Sequence, residues 1–267
     1  MTRSAGKPPV IPGPRFLALR SIAALMLREM AATYGRSPGG YIWALLEPVG
    51  MILILSAGLS LFMRTPPLGG NFLLFYATGY LPFSLYMDIS SKVSQSLRYS
   101  RALLAYPRVS WLDAVISRVI LNVLTGAAVS AILITGILAV TAERAILDFA
   151  AILAGFAMAA TLGCGVGLVN CLLSGLSDLW ERIWAIVTRP LFLASGVIYL
   201  FEDLPRPAQE LLWWNPLIHS TGLARTGFYA TYEAGFASMV YGYGTGMLLI
   251  AAGLLFLHNR HRQILER

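Results

Sequence analysis

The charged residues that fall inside or close to long apolar stretches are the first candidates for chemistry in this chain. They are Glu47, Asp113, Arg118, Glu181, Arg182 and Arg189. A charge in lipid is costly, so such a residue is a functional candidate by default. Arg118 and Arg189 have the charge to attract a phosphate or carboxylate. Each can instead pair with Asp113 or Glu181 and hold helices together, and the sequence leaves both interpretations open.

Aromatic residues near the first two apolar stretches are a second kind of candidate. Flat rings offer surfaces on which sugar rings stack, and the predicted sugar-facing residues are Trp43, Tyr80, Phe83 and Tyr86. An interfacial belt of aromatic residues would explain each of them singly. Together with Arg118 and Arg189, these four residues form the predicted substrate pathway.

Enzymatic sites are not indicated. A nucleotide-binding P-loop needs Gly-Lys-Ser/Thr, because its lysine must reach the terminal phosphates. The only two lysines, Lys7 and Lys92, stand in Gly-Lys-Pro and Ser-Lys-Val. The three histidines form no HExxH motif. The one Gly-x-Ser-x-Gly match, at residues 35–39, lies between two predicted helices rather than on the strand-to-helix turn that a nucleophile elbow requires. We therefore expect no catalytic residue, no metal site and no cofactor bound by this chain.

Six apolar stretches would position these residues. A spanning helix takes about 20 apolar residues, and the stretches run over residues 41–63, 72–90, 112–140, 146–173, 184–201 and 236–257. The composition agrees, since 57% of the residues are hydrophobic and only 12% are charged. The chain is predicted to be an all-α polytopic membrane protein with one transmembrane domain over residues 1–267. Within it, residues 1–14 are a flexible tail, 15–40 an interfacial helix and elbow, 41–257 the six spans, and 258–267 a cytoplasmic tail.

The distribution of charge predicts the orientation. Six spans place both termini on one side, together with the loops after spans two and four, and most of the 20 lysines and arginines fall there. The positive-inside rule therefore puts both termini in the cytoplasm.

The N-terminal helix is predicted to be amphipathic. Its apolar face consists of Leu19, Ile22, Ala23, Met26, Leu27 and Met30, whereas Arg20, Arg28 and Glu29 lie elsewhere. Such a helix lies in the headgroup plane rather than crossing the membrane. A plain anchor with no further role is the alternative.

A short cytoplasmic helix is predicted between spans two and three, over residues 91–106. Apolar and small residues recur there at helical spacing, a basic flank accompanies them, and Pro107 ends the helix. The residues predicted to dock a partner are Lys92, Leu97, Arg98, Arg101 and Leu104. A solvated loop beside anionic lipid is the alternative.

The segment 202–235 is predicted to lie on the outer side, yet it is rich in tryptophan, tyrosine and leucine. Prolines break it into short helical pieces. Irregular backbone at membrane depth is tolerated only where protein buries it or where it lines a cavity. We therefore predict two re-entrant helices that form an outer gate, with Trp213, Trp214, Asn215, Arg225, Phe228 and Tyr232 as its residues. Packing at the interface is the alternative.

The run Tyr34-Gly-Arg-Ser-Pro-Gly-Gly-Tyr-Ile-Trp-Ala-Leu-Leu-Glu-Pro48 resembles the start of span one in type-2 ABC exporter permeases. Asn215-Pro216-Leu217, followed by Arg225, resembles the segment before the last span of that family. Arg28, Glu29, Tyr34 and Gly35, with Leu-Glu-Pro48, are most similar to the inner-membrane permease of bacterial capsular polysaccharide exporters.

This resemblance implies a fold and a set of partners. Two copies of the chain would form the pathway in the bacterial inner membrane, and a separate ATPase subunit, with ATP and Mg, would dock on each cytoplasmic helix. The cargo would be a lipid-linked acidic polysaccharide, and a periplasmic co-polymerase and outer-membrane export proteins would continue the route. Exporters of O-antigen, teichoic acid, lipids or drugs share the architecture and are alternatives. A proton-coupled secondary transporter is a further alternative, with Glu47 as its one candidate carboxylate.

Overall fold

The computed structural model of the chain describes residues 17–34, 40, 42–104, 109–141 and 146–266. This described part consists of helices joined by loops, which confirms the all-α class. Its helices are α1 Leu17–Tyr34, α2 Ile42–Ser60, α3 Phe72–Ser94, α4 Ser96–Leu104, α5 Trp111–Thr141, α6 Phe149–Leu176, α7 Asp178–Ala194, α8 Arg206–Leu212, α9 Pro216–Thr226 and α10 Met239–Glu266, with a short 3-10 turn at Phe201–Asp203. The predicted tail 1–14 and most of the elbow lie outside the described residues.

Four of the described helices are long and apolar enough to cross a membrane. They are α2, α5, α6 and α10, at the positions of predicted spans one, three, four and six. Predicted spans two and five correspond to α3 and α7, which are not among these four. Tyrosines, serines, Asp88 and Lys92 make α3 less apolar, and α7 has only 17 residues, four of them charged.

The helix α3 lies at the centre of the described bundle, where it packs against α2, α5, α6 and α9. Most of its length is buried. Some of its polar groups bond within the helix: the Thr78 hydroxyl, for example, donates to the carbonyl of Phe75 at 2.9 Å. Because protein surrounds most of α3, the helix tolerates polar residues along its length. Most of the large exposed side chains of α2 and α5, by contrast, are apolar, as at Ile54 and Leu124.

The predicted fifth span is wrong in its limits. It was expected to run over residues 184–201, whereas α7 begins at Asp178 and ends at Ala194. Only Ser177 separates it from α6. The early start places Asp178 and Glu181 in the first turn, where negative charge favours a helix. The early end coincides with Gly196, whose φ of +69° is left-handed and readily available to glycine.

The two ends of the described chain are both helical. The helix α10 continues to Glu266, so the predicted cytoplasmic tail is helical as far as residue 266. The predicted apolar face of α1 is largely uncovered by the rest of the described chain, and the interfacial position of the helix stays a prediction. Leu19 and Leu27 are 62% and 67% exposed, whereas Leu25 is buried. Glu29 lies on the inward face of α1, next to α5.

The helices α8 and α9 form two short helical pieces, as the prolines of this segment predict. Asn215 caps α9, because its side-chain oxygen accepts from the amide of Leu217 at 3.1 Å. Every residue from Leu217 to Arg225 is buried, and α9 packs against α6, α3 and α10. The approach to α6 is close: Ser220 donates to the carbonyl of Gly155 at 2.8 Å. Gly155 makes this contact possible, since a Cβ there would lie 2.6 Å from the backbone nitrogen of Ala224.

Gly155→Ala is therefore expected to force α6 and α9 apart and to lower stability. Overpacking of this kind costs about 1–3 kcal/mol, and here the obstacle is backbone, which cannot rotate away. The measurement is the temperature at which half of the detergent-solubilised protein loses its monodisperse chromatographic peak. Gly136→Ala on α5 is the matched control, because a Cβ there meets nothing within 4 Å. Equal midpoints for the two variants would contradict the close α6–α9 packing.

Candidate functional site

The first candidate site is a joint between four helices, made by Glu29, Lys92, Tyr99 and Arg118. Arg118, on α5, is 3% exposed, and its Nε donates to the carboxylate of Glu29 on α1 at 3.0 Å. Its Nη1 donates to the backbone carbonyl of Lys92 at 2.7 Å. Its guanidinium lies 4.6 Å from the ring centroid of Tyr99 on α4, and a cation over an aromatic face is attracted to it. This "inner joint" thus links α1, α3, α4 and α5 through one side chain.

The inner joint favours the pairing interpretation of Arg118. The guanidinium pairs within the bundle, and its partner is Glu29 rather than Asp113. The side chain of Asp113 instead accepts from the amide of Ser110 at 3.1 Å, at the start of its own helix. The sequence analysis missed Glu29 and Tyr99 as partners; the signal for Glu29 was a carboxylate within a largely apolar helix.

Arg189 behaves differently from Arg118. It is exposed on α7, and no ion pair is found for it among the described residues. Glu181, its proposed partner, pairs with Arg98 instead, with an N–O distance of 2.6 Å. Arg189 therefore remains available to an anionic ligand.

The second site is the predicted docking helix, which the structure divides at Gln95 into the end of α3 and the separate helix α4. Leu97 is buried, and Leu104 is half-buried and packs against the same core. Arg98 crosses to α7, where it contacts Glu181 and, at 3.6 Å, Asp178. Lys92 is half-buried and lines a cavity. Arg98 and Arg101 are both exposed on α4, and Arg101 makes no ion pair among the described residues.

The predicted sugar-facing residues do not share one surface. Tyr80, Phe83 and Tyr86 are 8%, 6% and 3% exposed and belong to the core around α3. Phe83 packs edge-on against Phe192 of α7, with ring centroids 5.5 Å apart. Trp43, by contrast, is 55% exposed. It lines a cavity of about 310 Å³ between α2, α3 and α5, together with Glu47, Asp88 and Lys92.

The outer segment is held by Arg225, which is 2% exposed. Its two terminal nitrogens donate to the carbonyls of Val197 and Tyr199, each at 2.8 Å, and it lies 4.4 Å from the ring centroid of Phe75. Burial lowers the pKa of Arg225 to about 10, so the group stays charged near neutral pH. Arg225 therefore fixes the non-helical stretch that follows α7.

Two more polar residues tie this segment together. Asn215 donates to the carbonyl of Ala194 at 2.9 Å, which joins the start of α9 to the end of α7. His219 contacts the carbonyl of Trp213 through Nε2 at 2.8 Å and accepts the amide of Ser238 through Nδ1 at 3.2 Å. Burial lowers the pKa of His219, so the neutral form with the proton on Nε2 fits both bonds. The sequence analysis did not single out His219 for this role.

The other predicted gate residues occupy three environments. Phe228 is buried against Leu74 and Tyr229. Trp213 donates to the carbonyl of Phe236 at 3.3 Å, and Trp214 is 68% exposed. Tyr232 donates to the carboxylate of Glu202 at 3.1 Å, and burial raises the pKa of its hydroxyl. Within the described residues, no group of three or more His, Cys, Asp or Glu side chains is placed to hold a metal ion.

Comparison of the sequence with known proteins finds similarity to membrane transport components. The family model described as ABC-2 type transporter matches residues 20–229. The chain is 28% identical over 246 residues to the polysialic acid transport protein KpsM of Escherichia coli, covering 92% of this chain and 95% of that protein. It is 29% identical over 245 residues to the capsule polysaccharide export inner-membrane protein BexB of Haemophilus influenzae, with 90% and 91% covered. It is 28% identical over 220 residues to the corresponding protein CtrC of Neisseria meningitidis serogroup B, with 80% and 82% covered.

Proposed function

Since this chain belongs to the ABC-2 type transporter family, we propose that it is the permease subunit of an ATP-driven exporter that carries a lipid-linked acidic polysaccharide across the bacterial inner membrane. The observation that carries the proposal is similarity over nearly the whole chain to permeases named for capsule polysaccharide export and polysialic acid transport. ATP hydrolysis takes place on a separate subunit that binds ATP and Mg. A periplasmic co-polymerase and outer-membrane export proteins receive the cargo.

The proposed topology has six spans with both termini in the cytoplasm. α3 and α7 supply the two spans beyond the four apolar ones: α3 crosses inside the bundle, and α7 crosses at its edge. None of the α7 residues is buried within the described chain, and only Pro48 and Ile52 of α2 are buried. Two helices so little covered by their own chain leave a face for a second copy, so we propose a homodimer with the pathway between the copies.

Coupling to the ATPase runs through α4. Leu97 and Leu104 fix its apolar side to the bundle, and the exposed Arg101 and Ala102 face outward as the docking surface. A push on α4 reaches Arg118 through Tyr99, and Arg118 is bonded to Glu29 on α1. The α1 helix then moves with α4 and α5, which opens an inner portal beside span one.

The docking surface can be tested by charge reversal. Arg98→Glu with Arg101→Glu is expected to abolish polysaccharide-dependent ATPase coupling, because it places negative charge on the docking surface and breaks the Arg98–Glu181 bridge. Arg101→Glu alone should retain the bridge and still weaken coupling at least about tenfold, a change of about 1.4 kcal/mol. The measurement is ATPase activity and export in membranes with equal amounts of permease. Arg64→Glu, at an exposed position outside α4, is the control; normal export in the double variant would remove the docking assignment.

The pathway assignment follows from exposure. Trp43 on α2 and Arg189 on α7 are exposed, and we propose them as contacts for sugar and for the anionic anchor. Tyr80, Phe83 and Tyr86 support the wall behind that path rather than its surface in this conformation. The outer gate is the segment from Trp213 to Tyr232. Trp214 is its exposed ring, and Arg225 bonds it to the stretch that follows α7.

The function is tested by deleting the chain from its own cells and measuring polysaccharide at the cell surface. The expected result is loss of surface polysaccharide with accumulation of glycolipid inside, restored by the native chain. A co-purifying ATPase subunit is expected with the restored protein. Unchanged surface polysaccharide, or transport that survives ATP depletion and collapses with the proton gradient, would refute the proposal.

A further inference from the structure

A cleft with a mixed polar and aromatic lining lies beside α4 and apart from the cavity next to Trp43. Its volume is about 580 Å³, within the range of about 300–1,000 Å³ common for small-molecule sites. The helices α3, α4, α6 and α7 contribute its walls. Hydroxyl and amide side chains dominate the polar lining, namely Ser90, Ser91, Ser94, Ser174, Thr188, Gln95 and Asn170. We call it the inner cleft.

Two indole rings supply the apolar part of the inner cleft. Trp180 and Trp184 lie one helical turn apart on α7, with ring centroids 6.3 Å apart.

 Their ring planes are close to parallel, with an angle of 21° between them. The indole nitrogen of Trp180 donates to the side-chain oxygen of Asn170 at 2.9 Å, which holds that ring against α6. The cleft therefore combines flat aromatic rings with hydroxyl and amide groups.

Asn170 offers an unused donor at this site. An indole nitrogen can only donate, so the bond from Trp180 identifies the oxygen of the Asn170 amide. The other amide atom, Nδ2, is buried and has no hydrogen-bond partner among the described residues, and the residue as a whole is 3% exposed. A buried donor without an acceptor costs about 1–3 kcal/mol. A ligand oxygen admitted by a small movement of Trp180 would satisfy it.

The charges of the inner cleft argue for a neutral group rather than a phosphate. Arg98 is the one cation in its lining, and it is bonded to Glu181 at 2.6 Å and lies 3.6 Å from Asp178. A phosphate would have to displace these carboxylates and would meet their negative charge. A polyhydroxylated ring, by contrast, uses flat apolar faces together with donors and acceptors around its edge, which is the combination the cleft presents.

We propose that the inner cleft binds a sugar ring of the transported polysaccharide, stacked on Trp184 and hydrogen-bonded by Asn170 and the surrounding hydroxyls. This inference rests on the proposed function and adds a subsite to it. The site borders α4 through Arg98 and Tyr99, so a bound ring sits beside the helix that receives the ATPase.

The test is photo-crosslinking in cells that carry the full exporter. The photoreactive residue p-benzoylphenylalanine replaces Thr188, which lines the cleft, or Ile186, which is 68% exposed on the same helix. After illumination the permease is purified, and attached glycan is detected by periodate oxidation and hydrazide labelling. Glycan adducts are expected at position 188 at least about tenfold above position 186. Trp184→Ala should reduce the adduct about tenfold, equivalent to one aromatic contact of about 1.4 kcal/mol, and Trp184→Phe should restore most of it.

The outcomes separate the subsite from the proposed function. Lipid adducts without periodate-reactive sugar at position 188, or equal glycan adducts at both positions, would overturn the subsite. An adduct that Trp184→Ala leaves unchanged would overturn it as well. If deletion of the chain leaves surface polysaccharide intact, the proposed function itself fails. If deletion abolishes export and position 188 gives no glycan adduct, only the subsite fails.

Discussion

Replacing Arg225 with methionine is expected to release the outer segment and to abolish export. The guanidinium satisfies the carbonyls of Val197 and Tyr199 in a fully enclosed position. Each buried carbonyl left without a donor costs about 1–3 kcal/mol, so the expected loss of stability is about 2–6 kcal/mol. For a chain of this size that lowers the thermal midpoint by on the order of 10 °C. The measurement is the midpoint in detergent, together with polysaccharide at the cell surface.

Two further variants make the Arg225 result specific. Arg206→Met removes an exposed arginine of the neighbouring helix α8 and should leave both the midpoint and export unchanged. Arg225→Lys keeps the charge but loses the planar fork that reaches two carbonyls at once, so it should fall between the native chain and Arg225→Met. A native midpoint and native export for Arg225→Met would show that the segment is held by other contacts.

Local sequence signals predicted the elements that local chemistry controls. The proline positions and the Asn215-Pro216 step predicted the two short helices α8 and α9, because these residues start or interrupt a helix through their own local chemistry. Long apolar runs likewise predicted α2, α5, α6 and α10, because length and hydropathy are properties of one segment.

Pairings between distant segments could not be predicted in the same way. Arg118 meets Glu29, 89 positions away, and Arg98 meets Glu181, 83 positions away. Nothing local distinguishes these carboxylates from Asp113, which lies closer to Arg118 in sequence. The environment of an aromatic residue is equally hidden: Trp43 and Tyr80 both lie on apolar helices, yet one is exposed and the other faces the core. An aromatic ring can face lipid, protein or a substrate pathway. Which of these surrounds a given ring therefore depends on how α3 packs against the other helices.

The inner joint should separate stability from coupling when its two charges are removed one at a time and then together. Glu29→Leu or Arg118→Leu leaves a buried charge without its partner, which costs about 3–5 kcal/mol, whereas replacing both charges by apolar groups is much milder. We expect each single variant to lose export and thermal stability, and the double variant to regain most of the stability. Export should stay low in the double variant, because Arg118 no longer links Tyr99 of α4 to α1.

The measurements are thermal midpoints and the ratio of export to ATP hydrolysis, with Arg20→Leu on the exposed face of α1 as the control. Full export by the double variant would mean that the pair only stabilises the fold; native behaviour of both single variants would mean that α4 transmits its movement by another route.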